Sequence, residues 1–167
     1  MKLNVRSLKL FFEINKITEK IFYMSKVESA DLIMKLYELR REDKMREARA
    51  WFVAFFPESA ADIMKAMISA ETSANYRMVT TYWDMAASFI NHGAIDEEMF
   101  SEITGEHVVV FSKIEPFLGE IRETMGENYL KNLEKLLMKE PGAKEMLAQR
   151  RELMKRWMQA RAETAKG

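Results

Sequence analysis

"YWDMAASFINHGAIDEEMF", Tyr82–Phe100, reads as one helix ending and another beginning. Met78, Tyr82, Met85, Ala86 and Phe89 recur at the spacing of one helical face. Gly93 fits the position after a helix C-cap, where a left-handed backbone is needed and glycine meets no steric penalty. His92 is then the C-cap, with its ring placed to bond free carbonyls at the negative end of the helix dipole. Asp96 fits the next N-cap, with Glu97 and Glu98 in a first turn that favours anions. Ile95 and Phe100 occupy the two positions of a hydrophobic staple around that cap. A catalytic cluster is the competing reading. It is the weaker one, because nearly every polar residue here already has work at a helix end.

Working outward, helical patterns continue on both sides. Leu3, Leu10, Ile17 and Met24 repeat every seven residues, with Ile14 and Ile21 between them, which predicts an amphipathic helix within residues 1–27. Ser25 or Ser29 is a candidate cap for a second helix carrying Leu32, Leu36 and Leu39, with Ile33 and Tyr37 beside them. The charged junction "RREDKMREARA" leads to a helix through Met45, Ala48, Trp51, Phe52 and Phe55, ended by Pro57. Ile63, Met64, Met67 and Ile68 mark a fourth, and "ETSAN" is either a break or a join.

Downstream, Val110, Ile114, Ile121 and Met125 keep helical spacing, with Pro116 predicting a kink or two abutting helices. Val108–Phe111 could form a strand, but no second strand-like run exists to pair with it. Gly126 closes that segment. Tyr129, Leu130, Leu133, Leu136 and Leu137 form a short helix, and Pro141-Gly142 breaks the chain before a basic amphipathic helix within 143–167. The expected fold is an all-α antiparallel bundle of six to eight helices, one domain over 1–167, with amphipathic N- and C-terminal helices.

Composition agrees and removes much chemistry. Of 167 residues, 48% are apolar and 31% charged, while six Gly and three Pro are too few for a turn-rich β fold. No cysteine is present, which excludes disulfides, thiolate metal sites and cysteine nucleophiles and fits a reducing cytoplasm. His92 and His107 are the whole imidazole supply; neither sits three or four residues from a second histidine, and no His-Glu-x-x-His or Glu-x-x-His spacing occurs. No phosphate-binding glycine loop, serine elbow or calcium-loop pattern occurs, so neither metal nor cofactor is expected and the sequence reads as a non-enzyme. Asp84 beside Trp83 is the one carboxylate whose desolvation could make a general acid, although a solvated helix-face aspartate is the commoner case. The charged N-terminal segment is too interrupted for a signal peptide, and nothing approaches the ~18 uncharged residues of a spanning helix.

Net charge is zero but unevenly placed. Residues 1–27 and 143–167 each carry +4, and residues 94–134 carry −7. Fourteen methionines suit either the core or an adaptable apolar groove, and the core reading is preferred, with Met34, Met64, Met67, Met78, Met85 and Met125 as the fillers.

In the last helix, Met146, Leu147, Leu153, Met154, Trp157 and Met158 span an arc of about 140° at 100° per residue. Arg150 and Arg161 fall inside it. Arg150, Met154, Trp157, Met158 and Arg161 are therefore the candidate interaction residues. Three surfaces would satisfy apolar and cationic groups together: the acidic 94–134 region of the same molecule, that region in a second copy, or an anionic membrane. Glu145, Glu152 and Glu163 on the same helix argue against nucleic acid. Arg150 is expected to pair with an Asp or Glu of the 94–134 region, in its own molecule or a neighbour's.

Three stretches, "LIMKLYELRREDKMREARAWF", "YWDMAASFINHGAIDEEMF" and "VVVFSKIEPFLGEIRETMGENYLKNLEKLL", together resemble a bacterial helical domain of unknown function, the 4760 type. The resemblance covers about Ala30 to Leu137. It rests on Tyr37, Arg46–Arg49, Tyr82–Trp83, Gly93–Asp96, Pro116 and Arg122, which are positions of helix punctuation and packing. It implies an all-helical domain and supplies no reaction, ligand or catalytic residue. Some similar proteins carry an N-terminal spanning helix where this one has a charged amphipathic segment. The expected function is a non-enzymatic protein-interaction domain that self-associates as a homo-oligomer through its terminal helices. The alternative is a regulatory or peripheral domain at the inner membrane surface. An enzyme with a spatially assembled site comes third.

Overall fold

Tyr82 and Trp83 lie at the centre of the molecule. In the computed structural model, residues 5–164 are described, with side chains for residues 13–16 and 25–164. The protein is all-α, and the described residues form nine α-helices and one 3-10 turn. They are α1 (Val5–Arg41), α2 (Asp43–Ala54), α3 (Ala60–Ile68), α4 (Ser73–Asn91), α5 (Glu97–Ile103), α6 (Glu106–Ile114), α7 (Leu118–Met125), α8 (Lys131–Leu137) and α9 (Ala143–Thr164). The count exceeds the six to eight expected. Two predicted helices fuse into α1, and the Pro116 segment divides into α6 and α7.

The fusion has a local cause. No glycine or proline lies between Met24 and Ala30, and a serine permits a cap without forcing one. Ser29 is buried in mid-helix and serves a distant turn instead: its hydroxyl accepts from Asp96 N–H at 3.0 Å and donates to the Ala94 carbonyl at 3.5 Å. Among the described side chains of α1, Ser29, Ile33 and Leu36 are buried, while Leu39 and Tyr37 remain exposed. Of the N-terminal stripe, Ile14 is half-exposed; Leu3 and the side chains of Leu10, Ile17, Ile21 and Met24 lie outside the described residues.

The turn that decides the fold forms as expected. Gly93 has φ +73°, its N–H bonds the Ile90 carbonyl, and the Ala94 N–H bonds the Phe89 carbonyl, each at 2.9 Å. This is the paired pattern of a Schellman cap. Asp96 accepts from Met99 N–H at 2.9 Å, His92 Nδ1 lies 2.8 Å from the Ser88 carbonyl oxygen, and Ile95 and Phe100 are buried. "ETSAN" is a break: Ser69 turns to extended backbone, and the Thr72 hydroxyl bonds the Ala66 carbonyl at 2.9 Å. Pro116 sits in the 3-10 turn Glu115–Phe117, and Val108–Phe111 is helical.

Helix α4 forms the middle of the core, burying Tyr76, Val79, Tyr82, Trp83, Ala86, Ala87 and Ile90 against α2, α3, α6 and α8. Helix α9 packs on α6 and buries Ala143 and Leu147. The methionines divide: Met64, Met67 and Met78 pack against the core, whereas Met34, Met85 and Met125 are exposed, correcting the expectation that all six fill it.

Candidate functional site

Between the second half of α2, α6 and α9 lies an open apolar groove of about 880 Å³. Ala50, Val53 and Ala54 line it from α2, Val109 and Lys113 from α6, and Met154, Trp157, Met158, Ala160, Arg161 and Ala162 from α9. Small residues on α2 keep the floor low, while Trp157 stands 65% exposed and Val53 50% exposed. Four of the five residues singled out in the last helix therefore meet on this surface.

Arg150 is the exception. It is exposed and pairs with no carboxylate among the described residues, so the expected pairing within its own molecule does not form. The reason is rotational. Helix α9 docks on the edge of its apolar arc that carries Leu147 and Met158, and this turns Arg151 inward. Arg151 donates from Nη2 to the Pro57 carbonyl at 2.6 Å, and its guanidinium carbon lies 4.7 Å from the Phe56 ring centroid and 5.3 Å from that of Phe117. The opposite edge, with Met146, Arg150 and Trp157, faces outward.

Sequence reasoning also missed Lys113, a buried cation at the groove floor. Its ammonium donates to the carbonyls of Phe52, Val53 and Phe55 at 2.8–2.9 Å. These are the carbonyls left free where α2 ends, so the Lys113 ammonium caps the C-terminus of that helix. Burial, and then the charge of Arg151, pulls it down to about 8. The signal in sequence was a lone lysine inside the apolar run Val108–Ile114, within reach of the aromatics that end α2.

The other inward ionisable groups hold elements together. Glu106, at the start of α6, accepts from Arg49 Nε at 2.8 Å and Nη2 at 2.6 Å, and also from Arg40. Desolvation is the largest influence on this carboxyl and raises it. The Arg49 hydrogen bonds and both guanidinium charges outweigh that and hold it below its ordinary range. Arg49 belongs to the Arg-Glu-Ala-Arg segment, so this part of the family pattern is an ion-pair clamp joining α1, α2 and α6.

Asp84 is engaged at a helix end. It accepts from the N–H groups of Asn132 at 3.0 Å and Leu133 at 2.9 Å, and from Asn132 Nδ2 at 3.0 Å, capping the start of α8. Arg122 donates to the Tyr129 carbonyl and pairs with Glu134 at 2.8 Å. His107 is buried between Trp83 and Phe100, with ring centroids 5.8 and 5.1 Å away, and its Nδ1 has no hydrogen-bond partner among the described residues. Burial draws it down to about 4.

Among the described residues, no group of three or more His, Asp or Glu side chains converges to hold a metal ion. No described helix is long and apolar enough to cross a membrane. Neither the curated proteins nor the solved structures contain a match to this protein. The resemblance drawn from helix punctuation is met by a family model, Domain of unknown function (DUF4760), which matches residues 25–139 and so takes in α2 to α8 with the second part of α1. The chain belongs to that family.

Proposed function

We propose that this protein is a non-enzymatic helical interaction domain that self-associates through the surface of its last helix. The observation that carries this reading is the groove, where Trp157 and Val53 stand exposed over small residues of α2. A concave apolar surface kept open beside a packed core supplies the anchor-and-pocket geometry on which binding energy concentrates. The non-enzymatic part is supported by the use of the inward charges: Glu106, Asp84, Lys113 and Arg122 each direct their hydrogen bonds to helix ends or ion pairs.

Sedimentation velocity over a wide concentration range, comparing the parent protein with Trp157→Asp, tests the reading. The parent should gain mass with concentration and the variant should stay monomeric. A parent that is monomeric throughout defeats it. One observation favours a peripheral membrane role as the second reading: Arg150, Trp157 and Arg161 all reach solvent on one helix. Flotation with anionic vesicles, and none with neutral ones, would select that reading.

A further inference from the structure

Self-association leaves open which surface enters the groove. Resting on that reading, we propose that the occupant is α5 of a second copy, with Ile103 entering the groove and Glu98 and Glu102 set against the cationic face that Arg150 and Arg161 frame.

Charge decides the choice. The ionisable groups lining the groove, Lys113 and Arg161, are both cations, and the three carbonyls at the end of α2 already engage Lys113. Arg150 and Arg161 bracket Met154 and Trp157 along α9, about 16 Å apart at 1.5 Å per residue. Neither guanidinium pairs with a carboxylate among the described residues. Two α9 helices laid against each other would set arginine against arginine, so a partner of opposite sign is required. Helix α5 presents one. Glu98 and Glu102 are exposed four residues apart, where like charges repel, and neither meets a cation among the described residues. Ile103, next to them, is 58% exposed. Helix α7 also exposes Glu120 and Glu123, but its exposed Met125 lines a different cleft, beside α4. An α5-to-α9 contact repeated by a two-fold axis is self-complementary, each copy giving both surfaces.

The test is a charge-reversal pair. Arg150→Glu/Arg161→Glu and Glu98→Lys/Glu102→Lys are prepared as two double variants, with melting curves to confirm that each folds. Each alone should be monomeric at concentrations where the parent protein associates. An equimolar mixture should recover the mass of the associated species. Raised salt should weaken association of the parent, as screening between exposed charges demands. Association abolished by Trp157→Asp but indifferent to both charge reversals would overturn the α5 assignment and leave the groove reading standing. Two monomeric variants that fail to recover mass on mixing would also overturn it. A parent protein that never associates would overturn both.

Discussion

At the scale of single residues, neighbours in sequence behave differently because of a rotation of α9. Arg150→Ala should change stability by less than about 0.5 kcal/mol, since it removes an exposed side chain that pairs with no carboxylate among the described residues. Arg151→Ala should cost about 1–2 kcal/mol, through the lost bond to the Pro57 carbonyl and the lost stacking over Phe56 and Phe117. Urea denaturation of the two variants checks the contrast, and equal losses would contradict it. Sequence placed Arg150 inside the apolar arc and did not single out Arg151. Which one turns inward depends on the edge of α9 that meets α6, and helical periodicity carries no such information. Gly93 is the opposite case, because its requirement is local. A Cβ there meets nothing within 4 Å, so only the backbone conformation resists substitution. Gly93→Val should destabilise by roughly 1 kcal/mol or more, and Gly93→Asn by less, since asparagine tolerates a left-handed backbone. Equal melting temperatures for the two variants would refute the backbone explanation.

At the scale of elements, the capping signals that proved legible all act within a few residues of one another. Asp96 reaches Met99 N–H three residues ahead, and the Gly93 cap closes on Phe89 and Ile90. Caps supplied from elsewhere in the sequence were not legible. Asp84 caps α8 from 48 residues away, and Lys113 caps α2 from 60. Ser29, read as a local N-cap, instead reaches across 67 residues to Asp96 N–H, and α1 runs straight past it. Helix α8 shows why a remote cap matters: it has seven residues, and its N-cap position, Leu130, is left-handed and offers no side-chain bond. Asp84→Ala should therefore cost about 1–2 kcal/mol, with amide exchange accelerating first over residues 131–137. Exchange that accelerates evenly over the whole molecule would show that Asp84 supports the core rather than that helix. The groove followed the same division. Four of its six α9 residues were found from periodicity, while its α2 residues and Lys113 depended on which helices pack together.

At the scale of the whole molecule, the helices around Trp83 enclose a histidine whose protonation the fold resists. His107 is 6% exposed, lies against the Trp83 and Phe100 rings, and is drawn by burial from 6.5 to about 4; Glu106 beside it opposes that shift only in part. Well above pH 6.5 the ring is neutral in both the folded and unfolded states and has no effect on the pH dependence of stability. As pH falls from 6.5 towards 4, the unfolded state takes up a proton that the folded state refuses, so stability declines across that window. The full loss is on the order of 3 kcal/mol by linkage. Glu106, held low by Arg49 and Arg40 against its own desolvation, adds a loss of the same sign below its unfolded value near 4.5. The two contributions separate by mutation. His107→Leu keeps an apolar group between the rings and removes no hydrogen bond at Nδ1, which has no partner among the described residues. Its stability should be nearly flat from pH 6.5 to 5, where the parent protein falls, and both should fall together below about 4.5. Urea denaturation at half-unit pH steps reads this directly. A variant that keeps the parent's slope between pH 6.5 and 5 would place the responsible proton elsewhere than on His107.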